Sequence, residues 1–141
     1  MTERANVIYA SEPDLDVAEF RRVLVESGLG ALRPVDDEQR LRHMLSGANL
    51  VVTARLDSRG RPLIGIGRGV SDGAWACYLA DLAVCPSAQG LGVGRGLLDE
   101  ARRQLGPQVS LILVSVPEAV GFYERAGMER LSTAFWYKRE H

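Results

Sequence analysis

"CPSAQGLGVGRGLLDEARRQL", residues 85–105, sets glycine at four alternate positions, Gly90, Gly92, Gly94 and Gly96, and then runs without a break into an apolar pattern of helical period. Glycine in such density either adopts backbone angles closed to other residues or lets something approach the main chain closely. Val93, Leu97, Leu98, Ala101 and Leu105 share one helical face. Strand-like stretches flank the pair, at 75–85 and 109–115, so the segment reads as a β-α-β unit. Its loop delivers free backbone N–H groups to a helix N-terminus, where the helix dipole favours an anion such as phosphate. The residues alone leave two readings open, a phosphate cradle and a glycine-rich turn that serves helix–strand packing.

Two familiar nucleotide loops are excluded by register. A dinucleotide fingerprint needs G-x-G-x-x-G, but the sixth residue is Arg95 counted from Gly90 and Leu97 counted from Gly92. A P-loop needs Gly-Lys followed by Ser or Thr, and the chain has no Gly-Lys dipeptide.

Upstream of the loop, "ANVIYA" at 5–10 reads as a first strand. "PDLDVAEFRRVLVESGLG" reads as a helix stopped at Gly28, and "DDEQRLRHMLSGA" as a second helix with an acidic first turn and an exit at Gly47. "NLVVTARL", "PLIGIGRGV" and "AWACYLADLAV", separated by turns at "DSRGR" and "SDG", form an antiparallel meander. Downstream come a buried strand, "VSLILVSV", a short helix, "PEAVGFYERAG" with Pro117 at its start, and "MERLSTAFWYKRE", read as one or two closing strands. The order is β-α-α-β-β-β-α-β-α-β without linker or repeat, an α+β fold on a mixed sheet, read as a single domain over 1–141.

Length and charge bound the function. A chain of 141 residues with 46% hydrophobic and 25% charged residues suits one globular core. Seventeen basic and eighteen acidic residues give a net charge of −1, which offers no general attraction to nucleic acid or an anionic membrane. Charges at Glu3, Arg4, Glu12 and Asp14 exclude a signal-peptide core, and no apolar run approaches transmembrane length, so the expected location is cytoplasmic. Cys77 and Cys85 flank one strand at about 26 Å, beyond disulfide reach. Two cysteines and two histidines give no metal-site spacing, and no metal is expected.

With both motifs in view, "DLAVCPSAQGLGVGRGLL" and "FYERAGM", the chain resembles the GNAT superfamily of acyl-CoA-dependent N-acetyltransferases. The first holds the family's Q/R-x-x-G-x-G/A loop as Gln89, Gly92 and Gly94; the second is its F-Y-E-x-x-G segment. The resemblance implies acetyl-CoA as cosubstrate, with Gln89, Gly90, Leu91, Gly92, Val93 and Gly94 wrapping the diphosphate by main-chain amides and Arg95 adding positive charge. It also implies that Leu82, Ala83 and Val84 pair their backbone with the pantetheine arm, one N–H polarising the thioester carbonyl. The chain departs from the family pattern at Val116, where an asparagine is frequent, and at Met128, where an aromatic is frequent.

Tyr123 holds the family position of a general acid, which would protonate the departing thiolate; its other reading is a core aromatic beside Phe122. Asp81, in the middle of an apolar strand, is either the carboxylate that deprotonates the amine or a strand residue facing solvent or paired with an arginine. Cys85 lacks a neighbouring base and reads as a buried or loop thiol, and Arg33 reads first as a solvated arginine and second as a receptor for a carboxylate. Trp75, Tyr78 and Trp136 read first as strand packing. The helix-to-helix connection "SGLGALRPVDDE" is expected to border the acceptor cleft. The expected reaction is acetyl transfer to a primary amine of a small molecule or peptide, and the alternative is an acyl-CoA-binding sensor of the same fold. A homodimer through edge or C-terminal strands is a further expectation.

Overall fold

The computed structural model describes residues 6–141. Its elements in chain order are β1 (Val7–Ser11), α1 (Val17–Ser27), α2 (Glu38–Ser46), β2 (Leu50–Leu56), β3 (Leu63–Ser71), β4 (Ala76–Val84), α3 (Val93–Leu105), β5 (Ser110–Leu113) and α4 (Val120–Arg125). The strands form one mixed sheet in the order β1-β2-β3-β4-β5, antiparallel except for the parallel pair β4–β5. The expected first strand over 5–10 begins at Ala5, which lies outside the described residues.

Helices cover both faces. On one face α1 and α2 bury Phe20, Val23, Leu24 and Leu41 against Val51, Ile66 and Ala83. On the other, α3 buries Val93, Leu97, Leu98 and Ala101 against Val52, Ala54 and Leu79. The adjacent pair Val51 and Val52 goes to opposite layers, as the period of two in a strand requires.

The helix ends follow their local chemistry. Asp16 caps α1 by accepting from the Glu19 N–H, and Gly28 ends it in the left-handed region at φ 87°. Asp37 caps α2 by accepting from the Arg40 N–H at 3.0 Å.

Beneath α3, β3 carries glycines in place of side chains at two positions. A Cβ on Gly65 would lie 2.9 Å from Val93 Cγ1, and one on Gly67 would lie 2.8 Å from Val52 Cγ2. Gly65 lets the first turns of α3 settle deep against β3, which fixes where the helix N-terminus points, while Gly67 makes room for the neighbouring strand's Val52.

Two expectations are corrected. The strand expected over 109–116 shortens to β5, whose pairing with β4 stops at Leu79 and Leu113. The closing strands expected over 128–140 do not form, because a strand exists only with a partner ladder and none is beside this segment. Beyond Met128 its side chains lie in solvent instead, with Phe135 95% exposed and Trp136 65% exposed.

Candidate active site

The site begins where β4 and β5 part. Beyond Leu79 the residues Ala80–Val84 of β4 run on without β5 beside them. The Cys85 N–H donates to the Ile64 carbonyl at 2.8 Å, which sets the phase of the antiparallel ladder with β3. Alternation then turns the main-chain groups of Ala83 and Asp81 toward β3, and those of Leu82 and Val84 into the gap. Of the three residues expected to offer their backbone, Leu82 and Val84 are free to do so. Ala83 is spent on the ladder with Ile66.

The glycine loop closes the end of this gap. Pro86–Ala88 form a short 3-10 turn, and then Gly90 and Gly92 take φ 85° and 71°. Those angles are costly for any residue with a Cβ, and they swing successive amides to one side. Gly92 caps α3 without any side chain of its own, and the first amide to bond back is that of Gly96, to Gly92 O at 2.9 Å. The amides of Gly90, Gly92, Val93, Gly94 and Arg95 donate to no acceptor among the described residues. Those of Gln89 and Leu91, expected to join them, are used inside the turn by Pro86 O and Ala88 O.

Gly94 and Gly96 serve packing. A Cβ at Gly94 would lie 2.9 Å from the Phe122 ring, and one at Gly96 would collide with the Tyr9 hydroxyl. The four alternate glycines therefore divide, the first two setting the backbone path and the last two admitting aromatic rings. The packing reading describes Gly94 and Gly96, and the loop backbone around Gly90 and Gly92 is where the phosphate reading rests. Arg95, in the first turn of α3, is exposed and leans along the helix to Asp99 at 3.3 Å.

Tyr123 sits on α4 beside this loop. Its ring meets Phe122 edge-on, with centroids 5.0 Å apart, and Phe122 in turn covers Gly94. Tyr123 is half-buried, and that burial pushes its phenol above the ordinary value of 10.0. The hydroxyl therefore stays protonated through the neutral range, and among the described residues no side-chain hydrogen bond occupies it.

Asp81 lies on the opposite face. Its carboxylate is buried, with Arg33 Nε at 2.6 Å on one oxygen and Arg68 Nε at 2.5 Å on the other. Of its two readings, the arginine-paired one describes the geometry. Arg33, expected in solvent, is corrected: its Nη2 also donates to the Ala80 carbonyl at 2.7 Å. A register shift in the β3–β4 ladder passes from Arg68↔Asp81 to Gly69↔Leu79, leaving Ala80 as a bulge. Arg33 thus satisfies the carbonyl that the bulge releases and ties the α1–α2 connection to the strand bordering the gap.

Cys85 and Cys77 are buried free thiols, both pushed up by burial, Cys85 further by Glu26. Neither offers a thiolate nucleophile. No cluster of three potential metal ligands occurs among the described residues, and no helix among them is long and apolar enough to cross a membrane.

A mixed sheet that splays beside a glycine loop rich in free amides defines a class, and comparison with known proteins agrees. The family model for the acetyltransferase (GNAT) domain matches residues 24–136, and the chain belongs to the GNAT acetyltransferases. It is 33% identical over 131 residues to the chloroplastic serotonin N-acetyltransferase 2 of Oryza sativa subsp. japonica, covering 90% of this chain and 63% of that protein. The chain thus spans less than two thirds of that relative's length. The solved GNAT family acetyltransferase of Streptococcus pneumoniae TIGR4 superposes with a TM-score of 0.70 at 26% identity, over 96% of this chain and all of the other. An aminoglycoside N-acetyltransferase solved in complex with CoA shares the fold alone, with a TM-score of 0.68 at 15% identity over 100% of this chain and 99% of that one.

Proposed function

We propose that the protein transfers an acetyl group from acetyl-CoA to a primary amine, by direct attack with both substrates bound. The observation that carries this is the run of unsatisfied amides, five in the loop and first turn of α3 and two more from Leu82 and Val84 on the strand leading to it. A diphosphate fits the first group, since anions are held by free N–H groups and the helix dipole. An extended amide-bearing arm fits the second, which would pair with it as an added strand does.

Acetyl-CoA supplies the acyl group as a thioester. The amides of Gly90, Gly92, Val93, Gly94 and Arg95 hold its diphosphate, and a β4 amide in the gap donates to the thioester oxygen as negative charge develops there. The neutral amine nitrogen bonds to the carbonyl carbon, the C–S bond breaks, and Tyr123 gives its hydroxyl proton to the leaving sulfur. The proton lost by the amine returns to Tyr123 through water, so the products are an amide and free CoA thiol. Asp81 is assigned no proton transfer, because both its oxygens are held by arginines in the buried layer; a water chain takes the amine proton instead.

The acceptor lies toward the α1–α2 connection that Arg33 pins. The 33% identical relative is a serotonin N-acetyltransferase, so arylalkylamines are the first acceptors to try. The cytosol is the proposed compartment, while that relative is a chloroplastic protein. The test is thiol release from acetyl-CoA across a panel of arylalkylamines, polyamines and amino acids. Turnover of one amine class supports the reading, and tight acetyl-CoA binding without turnover of any amine replaces it with a sensor of the same fold.

A further inference from the structure

At Asp81 two guanidinium groups meet one carboxylate. Arg33 takes one oxygen and Arg68 the other, and no further carboxylate among the described residues forms a salt bridge with either arginine. The carbonyls around them carry no charge, so the cluster keeps one positive charge in excess. Arg33 has no nitrogen left for a further carboxylate, since Nη1 donates to the Leu32 carbonyl and Nη2 to that of Ala80. Arg68 differs. Its Nε donates to Asp81 and its Nη1 to the Met44 carbonyl at 3.3 Å, while Nη2 donates to nothing among the described residues. No side-chain nitrogen or oxygen sealed from solvent lacks a partner among them, so Nη2 reaches the surface although Arg68 is only 7% exposed.

The surface it adjoins lies beside the gap. Along β3, Ile66, Arg68 and Val70 share the face that α1 and α2 cover. Ile66 is buried in that layer and Val70 is exposed, so the helical cover ends at Arg68. From there an open floor crosses the sheet, because Val70 pairs with Tyr78 and Tyr78 with Ile112, and all three are exposed. Its far side is where β4 and β5 part beyond Leu79 and Leu113. An excess cation at the rim of an apolar floor is a receptor for an anion. Asp81 and Met44 already hold this guanidinium in place, so little side-chain freedom is lost when its remaining N–H groups meet a carboxylate.

We propose that the amine acceptor also carries a carboxylate, held by Arg68 Nη2, with its apolar side chain over Val70 and Tyr78 and its amine turned into the gap. The acceptor class is then amino acids or short peptides. Simple arylalkylamines lack the anion, and polyamines would bring a second cation to a cluster already positive. The proposal rests on the acetyl-transfer reading for its reaction, and on the Arg33–Asp81–Arg68 geometry for its ligand.

The test is thiol release from acetyl-CoA with leucine, phenylalanine and tryptophan, each measured beside its own carboxamide. kcat/KM is expected to favour the acid over the amide by about tenfold or more. Equal or better use of the amide in every pair overturns the proposal. In Arg68→Met, where Asp81 keeps Arg33 as a neutral pair, the preference for the acid is expected to vanish. A merely structural role lowers both members of a pair alike and leaves the preference standing, which also overturns it. Should the variant not fold, or no amine be turned over, calorimetry on the wild-type protein with CoA present decides. N-acetylphenylalanine is expected to bind about tenfold more tightly than N-acetylphenylalanine amide. Equal affinity, or no binding of either at millimolar concentration, overturns the carboxylate site and leaves the acetyl-transfer reading to the amine panel.

Discussion

Arg33 and Asp81, 48 residues apart in sequence, meet at 2.6 Å, and through that contact the α1–α2 connection is fastened to the bulge of β4. The pair joins the strand that borders the gap to the loop proposed to flank the acceptor.

Removing the charge on Asp81 separates a clamp from a base. Asp81→Asn leaves Arg33 and Arg68 facing a neutral amide, and breaking a buried ion pair from one side typically costs about 3–5 kcal/mol. Urea unfolding is expected to show a loss of that order. Unchanged stability with abolished turnover would instead make Asp81 the catalytic base.

The divided roles of the glycines predict divided phenotypes. Gly92→Val places a side chain in open space beside the free amides and forces a β-branched residue to φ 71°, so acetyl-CoA affinity is expected to fall about tenfold or more with a stability cost of about 1–2 kcal/mol. Gly94→Ala meets the Phe122 ring at 2.9 Å, and its defect is expected to be relieved by Phe122→Leu. Calorimetric titration with acetyl-CoA beside thermal melts tests both; equal effects at the two positions would refute the division.

Tyr123→Phe keeps the ring and its edge contact with Phe122 but removes the proton. The expected result is a fall in kcat of about 10²-fold with acetyl-CoA affinity unchanged. The deficit should shrink with an acyl donor whose leaving group is more acidic than CoA. Because burial raises this phenol, its contribution to stability is present below its ordinary value of 10.0 and is lost as pH rises through the higher folded value. Alkaline unfolding of the wild type is therefore expected to be steeper than that of Tyr123→Phe, and identical limbs would contradict the burial.

At the acid end the relevant group is Glu12. Hydrogen bonds from Arg55 hold its carboxyl below the ordinary 4.5, and Thr53 adds to this. Its contribution is present above that ordinary value and is lost as pH falls through the lowered one. Denaturant unfolding between pH 7 and pH 3 should show Glu12→Gln less stable at neutral pH and converging on the wild type in acid. A constant gap would mean that the loss is one of packing.

How much of this was legible in the residues differs by element. The ends of α1 and α2, the meander of β2, β3 and β4 and the apolar face of α3 could be read directly, since caps, turn residues and hydrophobic period act within a few residues. The glycine loop was legible as a turn that leads free amides into a helix N-terminus for the same reason: the helix that follows it is a local fact. The amides that actually remain free were only partly legible, because Gln89 and Leu91 are consumed by a turn whose hydrogen bonds the letters do not display.

The facing of Asp81 illustrates the limit. Along β4, Cys77 and Leu79 join the α3 layer while Ala83 and Cys85 join the α1 layer, although all four are odd-numbered. The bulge at Ala80 inverts the parity between them, and counting along the strand cannot find it, because a bulge is a property of two paired strands.

By itself, then, the sequence determined the helices, the central strands and the loop that turns its amides outward, because each rests on the conformational preference of neighbouring residues. Tertiary structure alone decided that Asp81 is clamped by Arg33 and Arg68, that Gly94 and Gly96 make room for Phe122 and Tyr9, that Leu82 and Val84 keep their amides where β5 turns away, and that residues 131–137 lie without a ladder. Each of those depends on which distant segment arrives beside it, and that is settled by packing and by the pairing of buried polar groups across the whole chain.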